Sequence, residues 1–197
     1  MGADDVLSEL LRRGGRTNVQ TRGADVQYRM PLDLIDVVNG TTQRVTMPDG
    51  STLDVTVPPG ASHGQVLRLR GKGSPGLNGS PAGDAYVELE VRPHPLFNRE
   101  GDDLRLKLPI SLSEAVLGGK VEVPTPTGPV TMTVPKGANT GKVLRLRGKG
   151  VPRPDGSRGD LYVELQVRLP ENDPDLESFV RTWSAGHADN PRWTMEA

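Results

Sequence analysis

The 197-residue chain contains no cysteine, which excludes a disulfide framework and a thiolate metal site and leaves nothing that points to an extracellular address. It also lacks a surplus of positive charge. Its 24 Lys and Arg stand against 25 Asp and Glu, for a net charge of −1. Binding nucleic acid by bulk electrostatics needs such a surplus, although a local basic patch stays open. No apolar run reaches the ~20 residues of a membrane-spanning helix, and the N-terminus has no basic-then-apolar signal layout. A soluble, cytoplasmic protein is expected. Aromatic residues are few, and both tryptophans with one of the two phenylalanines fall in the last 19 residues. What the chain does have is glycine and proline, 24 and 18 residues, a balance that suits turn-rich β structure better than helices.

The chain is organised around a duplication. Val-Leu-Arg-Leu-Arg-Gly-Lys-Gly occurs at residues 66–73 and again at 143–150, and the surrounding residues 57–92 align with 134–168 with 24 of 35 pairs identical. Each copy reads as a Pro-Gly turn, a strand, a Gly-Lys-Gly break, a Gly-Asp turn (Gly83-Asp84, Gly159-Asp160) and a second strand. In the first strand Leu67 and Leu69 share one face while Arg68 and Arg70 share the other; in the second, Val87, Leu89 and Val91 alternate with Tyr86, Glu88 and Glu90. That alternation describes a sheet with one dry side and one wet side.

Ahead of each copy lies a further strand. Val26, Tyr28 and Met30 share a face and Pro31 ends the run; Leu104, Leu106 and Leu108 repeat it and Pro109 stops it. A short helix follows over 34–40 and again over 113–119, then a hairpin: Val45 to Met47 turns through Pro48-Asp49-Gly50 into Leu53, Val55 and Val57, and Val121 to Val123 turns through Thr127-Gly128 into Val130, Met132 and Val134. The fold class is all-β: two tandem small β-sandwich domains of the same fold, each with one short helix, plus a C-terminal helix. The expected divisions are a leader or linker over 1–24, a first sandwich over 25–95, a second over 96–170, and a helix and tail over 171–197. Val6, Leu7, Leu10 and Leu11 in the leader have helical spacing, and a short helix or a disordered leader both fit. Residues 93–103 join the halves, stiffened by Pro93 and Pro95, with Leu96 and Phe97 able to wedge between them. Near the end, Asp173 is placed to cap a helix with Pro174 at its first position, and Leu176, Phe179, Val180 and Trp183 fall at i, i+3, i+4 and i+7. A helix this short is marginal alone. Its stripe therefore reads as a dimerisation face, with docking on the chain's own second half as the alternative.

No catalytic or metal constellation emerges. His63, His94 and His187 share no spacing, and isolated histidines are far more often structural or solvated than ligands. The Gly-Lys-Gly breaks lack the spacing of a phosphate loop. Asp84 and Asp160 are explained by Asx-type turns. Arg68, Arg70, Arg145 and Arg147 form either a basic stripe or cross-strand partners for Glu88, Glu90 and Glu164, the second being the plainer reading. No catalytic residue, metal or cofactor is expected.

The combination of Val57-Pro58-Pro59-Gly60 leading into Leu67-Arg68-Leu69, the Gly83-Asp84-Ala85-Tyr86-Val87 strand entry, the His94-Pro95-Leu96-Phe97 joint, Gly101-Asp102-Asp103-Leu104 and the Leu112 to Gly118 helix resembles the C-terminal substrate-binding region of DnaJ-type co-chaperones, over about 25–183. With no Cys-rich insertion it is similar to the zinc-free class, related to the curved-DNA-binding type. The J-domain with its His-Pro-Asp motif, which in that family stimulates the ATPase of a DnaK-type partner, has no counterpart in these residues, so the chain alone is not expected to do so. The resemblance implies capture of unfolded polypeptide clients along the edge near Val45 to Met47, and carries the family's groove onto Tyr28, Met30, Val45, Met47 and Val87, which periodicity alone reads as ordinary core. It implies a homodimer, without membrane contact; a curved-DNA-binding module is the alternative function. The first half is expected to bind clients and the second to serve as scaffold, because Pro124 and Pro126 blunt its matching edge.

Overall fold

A computed structural model describes residues 21–47, 50, 52–184 and 192. The possible leader helix, Pro48 and Asp49 of the first hairpin turn, and His187 lie outside the described residues. The first repeat runs β1 (Val26–Leu32), α1 (Leu34–Asn39), β2 (Thr41–Thr46), β3 (Thr52–Val57), β4 (Val66–Leu69) and β5 (Ala85–Val91). The second runs β6 (Phe97–Glu100), β7 (Asp103–Ser111), α2 (Leu112–Leu117), β8 (Gly119–Val123), β9 (Val130–Val134), β10 (Val143–Leu146) and β11 (Leu161–Arg168), and α3 (Pro174–Ser184) follows. The sheets have the orders β1-β5-β4 and β10-β11-β7-β6, with separate hairpins β2-β3 and β8-β9. The protein is thus mostly strand, as the alternation anticipates. Two compact units emerge, one of the residues up to Leu104 with Arg147–Leu161, the other of Arg105–Leu146 with the residues from Tyr162 on. No helix among the described residues is long and apolar enough to cross a membrane.

The first sheet is built around β5, which pairs parallel with β1 and antiparallel with β4. Its register lines up Tyr28 with Val87 and Val87 with Leu67, so one row of apolar side chains crosses all three strands. Met30, Leu32, Val37, Val55, Val57, Ala61, Val87 and Leu89 form the buried core between this sheet, α1 and the β2-β3 hairpin. A fully buried aliphatic side chain contributes on the order of 1.5–3 kcal/mol. These residues therefore fix which face of each strand turns inward.

Several local expectations are corrected. Neither Pro31 nor Pro109 ends its strand: β1 continues to Leu32 and β7 to Ser111. Proline is tolerated in β1 because that strand lies at the edge of its sheet, and β6, with four residues, is too short to accompany the whole of the nine-residue β7. Phe97 is buried as the first residue of β6, whereas Leu96 stays exposed. α2 is closed by a capping box in which Ser111 accepts from the Glu114 N–H and the Glu114 side chain accepts from the Ser111 N–H. The cap expected at Asp173 is present, its Oδ1 accepting from the Leu176 N–H at 3.0 Å.

The Gly-Asp pairs are not Asx turns. Asp84 is buried and its carboxylate accepts from the Gly71 N–H at 2.7 Å and from Arg68 at 2.6 and 3.0 Å, with Arg22 at 3.1 Å. Arg68 is consequently held by Asp84 and lies 6.0 Å over the Tyr86 ring, not against a cross-strand glutamate. The pattern recurs in the second repeat, where Asp160 accepts from the Gly148 N–H at 2.8 Å; the Asp84 N–H in turn donates to Asp25, and the Asp160 N–H to Asp103, each at 2.7 Å. The Gly71 N–H, then Arg68, hold the Asp84 carboxyl down from 3.8 to about 2. A depressed folded-state pKa stabilises the fold above the unfolded value, and that contribution disappears as pH falls from about 4 to about 2. Asp84→Asn is expected to lower the thermal midpoint at neutral pH and to flatten its decline across that acid window; melts of both proteins that stay parallel from pH 7 to pH 2 would show that Asp84 is not the group responsible.

Candidate functional site

The apolar face of the first sheet is not covered evenly. Along β1 burial deepens from half-buried Val26 and Tyr28 to buried Met30 and Leu32. The hairpin shows a matching gradient, with Val45 paired to Leu53, both half-buried, near its tip, and buried Val55 and Val57 further along β3. Tyr28, Val45, Leu53, Leu67 and Leu69 pack on the core cluster without being enclosed by it. Met30 and Val87 are buried within this cluster, and those five half-buried apolar side chains border it. Among the described residues β2, which borders it, has β3 as its one neighbour in the sheet order, which leaves its other edge without a strand partner there. On the outer side of the hairpin Arg44 and Asp54 form a two-pronged ion pair at 2.8 and 3.1 Å, which leaves that strand pair without a net charge.

Of the five groove residues carried over by resemblance, the structure brings Tyr28, Met30, Val45 and Val87 into one cluster. Met47 is buried but lies outside that cluster. Leu53, Leu67 and Leu69 were missed as rim residues. Leu67 and Leu69 belong to the dry face of the repeated strand, but a strand read alone does not say which part of its face a neighbour covers. Tyr28 also lines, with Gln27, Arg29, Val66, Tyr86 and Glu88, a pocket of ≈ 520 Å³, crossed by an Arg29–Glu88 pair at 3.5 Å.

In the second repeat the positions matching Tyr28, Met30, Val45, Met47 and Val87 are Leu106, Leu108, Val123, Thr125 and Val163, all buried. The halves differ at two of them, Tyr28 and Val45, which are half-open where Leu106 and Val123 are closed. After β8 the chain turns inward: Thr125 and Pro126 are buried, and the Thr125 hydroxyl donates to the Gly128 carbonyl. At the helix stripe, Leu176 is half-buried while Phe179, Val180 and Trp183 are exposed.

His63 and His94 serve as acceptors for backbone. His63 Nδ1 accepts from the Val91 N–H at 3.1 Å, the same service that Thr140 gives Val167 at 2.9 Å, and His94 Nδ1 accepts from Leu96 and Phe97. Among the described residues no group of three or more His, Cys, Asp or Glu is placed to hold a metal ion.

The chain matches the model of the DnaJ C terminal domain over residues 26–170 and belongs to that family, a family of chaperone domains and not of enzymes. Among its relatives it is 51% identical over 122 residues to the chaperone protein DnaJ 1 of Streptomyces coelicolor, covering 61% of this chain and 31% of that protein. It is 49% identical over 120 residues to the chaperone protein DnaJ of Burkholderia mallei, 60% of this chain and 32% of that one. Against the curved DNA-binding protein of Coxiella burnetii it is 40% identical over 182 residues, 85% of this chain and 58% of that protein. The matches thus span between 31% and 58% of the length of these relatives.

Proposed function

We propose that this chain captures non-native polypeptide, holding an extended segment against the open edge of β2 with alternate side chains on the half-open apolar face of Tyr28, Val45 and Leu67. The observation that carries the reading is the pairing of a strand edge unpartnered among the described residues with a half-open apolar face in one repeat, and the closure of both matching positions in the other. Strand addition supplies affinity through backbone hydrogen bonds that any sequence can make, and the apolar face selects apolar side chains at every second position. Methionine and leucine around such a site adapt to varied partners. Division of labour follows: the first repeat holds clients and the second is scaffold. Presentation to a DnaK-type chaperone, a cytoplasmic address and a two-fold dimer through α3 belong to the same reading, and with no His-Pro-Asp in these residues, stimulation of the partner's ATPase falls to a J-domain. A curved-DNA-binding role has less support, since Arg68 of the basic stripe is already engaged by Asp84.

Fluorescence anisotropy with an apolar peptide and with duplex DNA, each at two salt concentrations, tests the proposal. Peptide affinity is expected to change little with salt. Tight DNA binding that falls steeply with salt, with no peptide binding, would overturn it.

A further inference from the structure

The inward row of side chains on β2 differs in kind from its counterpart on β8. Along β2, half-buried Thr41, Gln43 and Val45 alternate with exposed Thr42, Arg44 and Thr46, so the first three share the side of the strand on which Val45 packs against the core cluster. Their partners on β3 are Val57, Val55 and Leu53, of which Val57 and Val55 are buried. In β8 the matching row is Gly119, Val121 and Val123, paired with Val134, Met132 and Val130, and Val121 is buried. The first repeat therefore places a carboxamide, half-open, where the second places a closed aliphatic side chain. Tyr28 follows the same trend, bringing a hydroxyl where Leu106 has none. Among the described residues the Gln43 carboxamide has no hydrogen-bond partner, so it depends on solvent while the edge of β2 is open.

A strand added to that edge lays its inward side chains opposite this row, with directly opposed Cβ atoms about 4.5–5.5 Å apart. Opposite Val45 an apolar side chain gains by burial. Opposite Gln43 an apolar side chain strips water from the carboxamide and returns neither donor nor acceptor, a loss that a hydrogen-bonding side chain avoids. A site with such a group turns away the analogue that cannot pair with it. We propose that the β2 edge selects its clients by pattern: an apolar residue opposite Val45 and, two places along, an Asn, Gln, Ser or Thr that hydrogen-bonds Gln43. The strict alternation of an amphipathic strand, apolar at every second place, fits this row poorly. A segment of helical spacing fits it better when extended, because with apolar residues at i, i+3 and i+4 the residue at i+2 is polar. The favoured clients are thus unfolded segments that become helix in their own native folds. The inference rests on the reading of β2 as the client edge, and narrows the apolar selection on that strand to the place opposite Val45.

Fluorescence anisotropy of the full 197-residue chain with two peptides of equal length tests it. Both have a central leucine and the same polar flanks; one carries glutamine two places to either side of that leucine, the other carries leucine there. Wild type should bind the glutamine peptide more tightly. Gln43→Val, which supplies the side chain that the second repeat has at this place, should shift the ratio of the two dissociation constants toward the leucine peptide by roughly fivefold or more, the factor that one net hydrogen bond of ordinary strength supplies. Its circular dichroism spectrum and thermal midpoint should match wild type, since the position is half-open. A wild type that favours the leucine peptide, or a ratio that Gln43→Val leaves unchanged, would overturn the inference and leave the edge standing as a client site. Failure of both peptides to bind wild type would remove the underlying reading, and this inference with it.

Discussion

Gly83→Ala and Gly159→Ala are each expected to cost about 3 kcal/mol or more of folding stability, far beyond an average alanine substitution. Neither glycine is at a positive-φ position. Each lies where backbone crosses backbone: a Cβ on Gly83 would stand 2.1 Å from the Ala24 carbonyl oxygen, and one on Gly159 1.9 Å from that of Asp102. Both residues are also tied in place by the backbone, Gly83 through Gly73 and Ser74, Gly159 through Gly150 and Val151. No flexible side chain can yield to the new methyl group, and moving the strand entry would strip Asp84 or Asp160 of its partners. Gly141→Ala is the comparison, at φ 88 but with open space around its Cβ, and should cost only the roughly 1–2 kcal/mol of a left-handed alanine. Urea midpoints at unchanged m-value measure all three; a loss at Gly83 no larger than that at Gly141 would mean that small backbone shifts relieve the crowding.

The second large effect is on binding. Val45→Lys and Tyr28→Lys, at half-open positions of the first repeat, should each weaken the affinity for an apolar peptide by more than about tenfold, or roughly 1.4 kcal/mol. A charge there must be desolvated when a client side chain enters. Met47 is a poorer probe because it is buried, so a lysine would unsettle the fold as well as the site. Thr125 fails as a control in the second repeat for the same reason. Thr131→Lys, on the exposed side of β9, is the suitable control and should bind peptide normally. Equal losses from Thr131→Lys, or peptide-induced amide shifts centred on β8 and β9, would show that clients use the second repeat.

The alternation of apolar and polar residues, the repeat and the cap at Asp173 were enough to anticipate strands, short helices and a final helix, because each depends on neighbours in sequence. Where Pro31 and Pro109 were read as stops, the deciding fact was a strand's place in its sheet, which no local pattern carries. Asp84 misled for a related reason: a Gly-Asp pair looks like a turn, yet its carboxylate is claimed by an N–H and a guanidinium 13 and 16 residues away. The site was legible as a set of inward-facing residues. Which of them stay half-open was not, since Tyr28 and Leu106 occupy the same place in the repeat and differ only in what folds over them.

The parallel pairing of β1 with β5 has a consequence during synthesis. Asp25, beside the start of β1, meets Asp84, beside the start of β5, 59 residues later, and Asp103 meets Asp160 after 57. At a ribosomal rate of about 5–20 residues per second, β1 waits roughly 3–12 s for the strand that completes its sheet, and β7 waits as long again. Throughout each interval the nascent chain displays a strand with an open edge and an apolar face, the same kind of surface that the finished first repeat is proposed to hold in others.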